Sequence, residues 1–234
     1  MLKLLKYEII ESYRQYLLTF AIFLILCAIT PIMPIFIGNI LSILVVVAVI
    51  GISIAIFLNI IISFNRSMYK RPGYLTLTLP VTTNQLIGAK LIGSLVWVIV
   101  SSLVLVLGIV LLIMMIGEIP LTSLFDGLYE TVRIVLGNFS GFIRDLVDAL
   151  LATITMILSF YFVITLTKTK YIPKYKTLFG IVIYVIGLIL FGNILAQLSI
   201  DIYDTISSIL VSMVLSVLFY LGTVYLIDHH IEVE

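Results

Sequence analysis

The residues able to do chemistry are sparse in this 234-residue chain and badly spaced for it. Its two histidines stand side by side as His229-His230. No carboxylate or Cys cluster is placed to complete a zinc shell around them, so they read as a solvated helix end. Cys27 is the single cysteine, so no intrachain disulfide forms and the Cys clusters of zinc or iron-sulfur sites are excluded. Gly88-Ala89-Lys90-Leu91 lacks the upstream glycine and the magnesium-binding hydroxyl of a phosphate loop, so the chain is not expected to hydrolyse ATP by itself. Asn138-Phe139-Ser140 matches a glycosylation acceptor, a pattern short enough to arise by chance. Inside the apolar runs the polar residues are Asn59, Ser63, Ser101, Ser102, Thr153, Thr155, Asn193 and Gln197. None of these is ionisable, which argues against a proton relay or an ion-coupled carrier. Those runs show no paired carboxylates, no HExxH pattern and no Ser/Lys dyad, so an intramembrane enzyme is the least favoured class.

The elements that would carry these residues are set by composition. Hydrophobic residues make up 62% of the chain and charged residues 11%, with a mean hydropathy of +1.30. Soluble domains run at about 45 to 50% apolar and about 25% charged, and so small a charged set cannot cover a water-soluble surface. The chain therefore reads as an all-α membrane protein. With 13 basic and 12 acidic residues it lacks the basic excess of a nucleic-acid binder, and no nucleic-acid partner is expected.

Charge-free runs place the spans, since a spanning helix needs about 20 apolar residues and an ionised side chain in hydrocarbon is costly. The 51 uncharged residues between Arg14 and Arg66 are too many for one crossing. A break at Pro31, Pro34 and Gly38-Asn39 divides them into span 1, near Leu17 to Phe36, and span 2, near Ile40 to Phe64. Four further runs, of 27, 19, 24 and 23 residues, lie between Lys90 and Glu118, Asp148 and Lys168, Lys176 and Asp201, and Asp204 and Asp228. The expectation is one domain, residues 1 to 234, with six transmembrane helices. Lys3, Lys6, Arg14, Arg66, Lys70, Arg71, Lys90, Lys168, Lys170, Lys174 and Lys176 all fall on one set of alternate segments, leaving only Arg133 and Arg144 on the other. Lys and Arg collect on the cytoplasmic side, so both termini of this multi-pass cell-membrane protein are expected in the cytoplasm.

Two extramembrane segments are patterned. Residues 1 to 16 lack the apolar core and cleavage site of a signal peptide. Leu2, Leu5, Ile9, Tyr13 and Tyr16 share one helical face opposite Lys3, Glu8, Glu11, Arg14 and Gln15, which predicts an N-terminal interfacial amphipathic helix; the alternative is that span 1 begins early. Between spans 3 and 4, residues 118 to 148 repeat apolar side chains at steps of three and four, predicting an outer amphipathic segment of one or two helices broken at Gly137 to Gly141. This segment is either a cap on the bundle or outer leaflet, or an outer gate with Phe139 and Phe142 on its apolar side.

The cytoplasmic stretch NRSMYKRPGYLTLTLPVTTNQLIGAK, Asn65 to Lys90, is too long and too patterned for a minimal turn. Pro72-Gly73 should end the helix leaving span 2, Tyr74 to Leu79 is a short apolar stretch closed by Pro80, and Thr82 with Gln85 has capping-box spacing for span 3. Lys90 is expected to snorkel toward the interface. The residues alone leave a self-packed re-entrant connector and a partner-docking loop equally open.

The run Gly73-Tyr74-Leu75-Thr76-Leu77-Thr78-Leu79-Pro80-Val81, then Asn84-Gln85-Leu86 and Lys90-Leu91, resembles the signature of ABC-2-type permease subunits of low-GC Gram-positive bacteria. The sequence match covers about 30 residues; six spans with cytoplasmic termini are similar to that family's layout. The chain departs from it at Pro72, where members often carry an acidic residue. The resemblance implies that the loop at residues 65 to 85 holds a coupling helix seated on a separate ATPase, with Tyr69, Lys70, Arg71, Gly73, Tyr74, Leu75 and Pro80 as the coupling residues. It implies two ABC ATPase subunits as partners, a second permease chain (identical or different), and surrounding membrane lipids. No cofactor is expected on this chain, since ATP and Mg would belong to the ATPase partner. The expected activity is ATP-driven export, and the absence of charge within the spans points to a hydrophobic or amphipathic cargo such as a peptide or lipid-like compound. The competing reading is a non-transport immunity or sensor protein that binds a regulator through the same loop.

Overall fold

The computed structural model describes residues 2–29, 35–69, 82–116, 121–169, 176–197 and 205–230. Among these the chain is helical: α1 Leu2–Ile29, α2 Ile35–Tyr69, α3 Thr83–Ile116, α4 Leu121–Gly137, α5 Phe139–Thr167, α6 Lys176–Gln197 and α7 Thr205–His230. In lipid every backbone N–H and C=O must be satisfied within the protein, and a helix does this inside one segment. Among the described residues five helices are long and apolar enough to cross a membrane, over Ser12–Ile29, Val46–Tyr69, Thr83–Met114, Phe139–Thr167 and Thr205–His229. The sixth expected crossing, α6, has a shorter apolar stretch, Leu178–Ile194.

The side chains invert the pattern of a soluble protein. Ile43, Val46, Val47, Ile50 and Ile54 form an exposed apolar stripe along α2, and Leu210, Met213, Val214, Val217, Leu218 and Leu221 do the same on α7. Buried positions instead include Ser12, Ser67, Lys90, Ser94, Ser101, Thr165 and Thr223. Aromatic and apolar side chains such as Tyr16, Phe64, Ile60 and Tyr161 are buried beside these hydroxyls, and the branched aliphatics left outside are what a bundle solvated by acyl chains requires.

The chain divides into two compact units. In one, comprising residues 5–60 and 93–139, α1 lies parallel to α3. Ser12, Tyr16, Phe20, Phe23 and Cys27 make a buried stripe at steps of three and four. Trp97 anchors it: its ring stacks on Tyr16 at 4.3 Å, and its Nε1 donates a 3.0 Å hydrogen bond to Ser12 Oγ. Further along, Gly108 takes the Phe23 ring and Cys27 against its bare backbone, an approach that any larger side chain would obstruct.

The other unit comprises residues 1–4, 61–92 and 140–234. Here α2, α5 and α7 are parallel: Phe64 and Tyr69 of α2 meet Tyr161 and Thr165 of α5, and Thr155 and Phe162 of α5 meet Ser212 and Phe219 of α7. Helix α6 runs the opposite way along α5, with Tyr184 against Phe160 and Gly180 against Thr167. The N-terminal end of α3 lies at the C-terminal end of α7, where Thr83 Oγ1 donates to Asp228 Oδ1 at 2.6 Å.

Several expectations need correction. Helix α1 is unbroken from Leu2 to Ile29, so residues 1–16 do not form a separate interfacial helix; no Gly or Pro interrupts the stretch. Gly38-Asn39 lies inside α2 rather than at a break between the first two helices, and Pro31 and Pro34 lie outside the described residues. The outer segment does break where expected, with Asn138 as a turn between α4 and α5. The helix beginning at Phe139 then continues without interruption past Asp148, so Arg144, Asp145 and Asp148 stand on the first turns of the fourth long apolar helix.

Candidate functional site

The stretch most marked in the sequence connects α2 to α3, and its two roots are held by polar bonds. On the α2 side, Phe64, Ser67, Met68 and Tyr69 are buried. The Phe64 ring stacks on Tyr161 at 3.9 Å and 10°. Tyr69 Oη donates a 2.8 Å hydrogen bond to Thr165 Oγ1, which in turn donates to Tyr161 O at 2.8 Å. On the α3 side, Thr82 caps the helix as its spacing predicts, its Oγ1 accepting from Gln85 N at 3.3 Å. Asn84 Oδ1 accepts from Tyr220 Oη at 3.3 Å, next to the Thr83–Asp228 bond.

Lys90 joins the two roots. Expected at the interface, it is instead 2% exposed. Lying two turns into α3, its side chain is too deep to reach the helix end, so it finds a partner locally: Nζ donates to Ser67 Oγ, while its carbonyl accepts from Tyr161 Oη at 3.3 Å. A buried ammonium is tolerated only with such partners. The fold thus brings a Ser–Lys pair together across 23 residues, from the two ends of the segment that the sequence places between spans 2 and 3. The pair has the composition of a nucleophile and base but not the geometry. Ser67 Oγ donates its own proton to Ser63 O at 2.7 Å and receives a hydrogen bond from Lys90, the reverse of a hydroxyl surrendering its proton to an amine. Both side chains are also buried, Ser67 at 4% and Lys90 at 2% exposure.

Of the expected coupling residues, Tyr69 is turned inward onto Thr165. Lys70, Arg71, Gly73, Tyr74, Leu75 and Pro80 lie outside the described residues. Phe139 and Phe142 are 57% and 41% exposed. On α4, Phe125, Leu128, Val132 and Leu136 are exposed as well. His229 is exposed, stacked on Tyr225 at 4.8 Å with Nδ1 3.2 Å from Tyr225 O. The mild polar residues mostly bond within their own helices: Ser101 Oγ to Trp97 O at 2.6 Å, Thr153 Oγ1 to Ala149 O at 2.8 Å, and Asn193 Nδ2 to Ile189 O at 2.8 Å. Thr155 also reaches Ser212 O on α7 at 2.9 Å.

Sequence reading missed Ser67, Tyr161 and Thr165. The available signal was Tyr161 and Thr165 one turn apart on a helix expected to cross the membrane, together with a lysine near the start of the helix that follows the loop. Comparison of the chain with family models, curated proteins and solved structures finds no match.

Proposed function

We propose that this chain is the permease subunit of an ATP-driven exporter of the ABC-2 type, embedded in the cell membrane with both termini in the cytoplasm. It works with a second permease chain and two ATPase subunits, which carry the ATP and Mg, and it hydrolyses no ATP itself. The loop from residue 70 to 81 is the ATPase-coupling element.

The observation that supports this reading best is the anchoring of both loop roots. Tyr69 and Ser67 on one side, and Lys90 and Thr83 on the other, bond to each other through Ser67 and Lys90 and to two further helices, α5 and α7. A push on the loop is therefore delivered to α5 through Tyr161 and Thr165, and to α7 through Asp228 and Tyr220. Packed helices joined by satisfied polar bonds move as blocks rather than deform, which suits a cycle that alternates between two arrangements. Tyr69 serves as the inner anchor of the loop and not as its contact surface. A sixth crossing is supported by α6, which lies antiparallel along α5 as a crossing helix would. The cargo is hydrophobic or amphipathic, a peptide or lipid-like compound. Phe139 and Phe142, exposed in this chain, act at the outer end only once they are covered by lipid or by the second permease.

Affinity purification of the tagged chain from its native membrane tests the proposal. A stoichiometric ATP-binding partner is expected. Tyr74→Ala and Gly73→Pro should each lower its recovery or its substrate-stimulated hydrolysis at least fivefold, with membrane insertion unchanged. Recovery of the intact chain without any nucleotide-binding partner would favour the sensor or immunity reading.

A further inference from the structure

Helix α4 stands off the rest of the chain: every described residue in it is exposed except Val135. The described residues thus supply almost none of the burial that would hold it. A 17-residue helix in water is marginal even when built from good helix formers, and α4 carries Gly127 near its middle and five β-branched residues. Its apolar side calls for a surface outside the chain. That side is sharply defined. At 100° per residue Val135, Leu128, Val132, Phe125 and Leu136 fall within an arc of about 100°, with Tyr129 at its edge. Asp126, Glu130 and Arg133 lie on the other side, where Ile134 is the one apolar exception.

Two features point to lipid as that surface. The apolar stretch of α3 ends at Met114 and α4 begins at Leu121, while only Asn138 separates α4 from α5, whose apolar stretch begins at Phe139. Both ends of α4 are therefore tied to the boundary where spanning helices leave the hydrocarbon. The arc itself offers no polar side-chain atom except the Tyr129 hydroxyl at its edge, whereas a protein partner is held in register by about one hydrogen bond per 100 to 200 Å². A tyrosine at the edge suits the water line, with its ring toward the acyl chains and its hydroxyl in water. Charge does not draw the helix to the membrane. Helices that bind by charge carry Lys and Arg on the polar face. Here the only cation is Arg133, 3.5 Å from Glu130 Oε1, and with Asp126 the wet face is acidic on balance. Insertion of apolar side chains is the attraction that remains, and it depends on how readily the acyl chains part.

We propose that α4 lies flat in the membrane interface beyond the end of α3 and responds to acyl-chain packing: its apolar face enters gaps between loosely packed lipids, with no preference for anionic headgroups. This requires only that the protein be in a membrane, whether or not the chain takes part in export.

The test uses the full chain in dioleoyl phosphatidylcholine nanodiscs, with Cys27 replaced by alanine and a nitroxide attached through Leu128→Cys or Glu130→Cys. Both positions are exposed, so neither label displaces a packed side chain. Collisions are measured with oxygen, which concentrates in lipid, and with a nickel chelate, which stays in water. The oxygen-to-nickel ratio at 128 should exceed that at 130 by about threefold or more. Cholesterol, which tightens the acyl chains, should roughly halve that contrast, and replacing part of the lipid with phosphatidylglycerol should leave it unchanged. Phe125→Ser combined with Val132→Ser removes apolar contact from two exposed side chains, so it costs the fold no core, and should bring nickel collisions at 128 up to those at 130. A label at 128 shielded from both reagents would mean that protein covers the face. Equal ratios at 128 and 130 would leave the helix in water. A contrast that ignores cholesterol, or that rises with phosphatidylglycerol, would remove the packing response. Each of these results would overturn the proposal.

Discussion

Lys90 and Ser67 carry the largest energetic stake of any pair in the buried cluster, because one of them is cationic. Hydrogen bonds to charged groups contribute about 1.5 to 3 kcal/mol, against about 0.5 to 1.5 for neutral pairs. Ser67→Ala, which takes an acceptor from the buried Lys90 ammonium, should therefore destabilise the protein more than Tyr69→Phe, which removes only the neutral bond to Thr165. Thermal unfolding of both variants in the same detergent should give losses of about 2 and about 1 kcal/mol. The reverse order would mean that Lys90 draws little from Ser67. At this scale the sequence was only half legible. The Thr82 cap was readable because its partner, Gln85, is three residues away. The Ser67–Lys90 and Tyr69–Thr165 contacts join residues 23 and 96 positions apart, and only the packing of three helices brings them together. Lys90 was misplaced for the same reason: an isolated helix offers a lysine only water to reach for, whereas the bundle offers a hydroxyl.

Helices were more legible than side-chain contacts, because the cost of ionised groups in hydrocarbon leaves its mark directly as charge-free runs. All five runs are helical over much of their described length. What charge cannot reveal is where one helix stops being interfacial and becomes spanning. This is why α1 and α5 were each expected in two pieces and occur as one. Among the described residues the chain turns at Asn138, and not where composition merely changes, as at residue 17 or residue 148. Packing between helices then turns on bare backbone at close crossings. At Gly222 of α7 a Cβ would come within 2.8 Å of the Phe162 ring, whereas at Gly51 of α2 it would meet nothing within 4 Å. Gly222→Val should accordingly cost about 1 to 3 kcal/mol through overpacking. Gly51→Ala should add about 0.5 to 1 kcal/mol through lost unfolded-state freedom. Paired unfolding curves check this, and a stabilised Gly222→Val would show that the α5–α7 contact is looser than its geometry implies.

The whole-molecule question is parity, and it turns on α6. Its apolar stretch Leu178–Ile194 spans about 26 Å at 1.5 Å per residue, just short of a bilayer core of about 30 Å. The full helix, Lys176–Gln197, is 22 residues long and reaches about 33 Å, enough to cross. Its antiparallel run along α5, fixed by Phe160–Tyr184 and Thr167–Gly180, is the direction a crossing helix must take after one that has just returned. If α6 crosses, residues 6 and 229 face the same compartment; if it does not, they face opposite ones. Labelling sites must be exposed for the test to work, which rules out Ser67 and Thr169 and favours Lys6, Gln85, Tyr129 and His229. With the buried Cys27 replaced by alanine, single cysteines at these four positions should react with an impermeant thiol reagent in intact cells only at 129. Positions 6, 85 and 229 should label only after permeabilisation. The outcomes separate two errors that a hydropathy plot confounds. Labelling at 229 alongside 129 would leave five crossings and return α6 to the surface. Labelling at 6, 85 and 229 with 129 protected would keep six crossings but invert the chain, removing the loop after Tyr69 from any cytoplasmic ATPase and with it the proposed coupling.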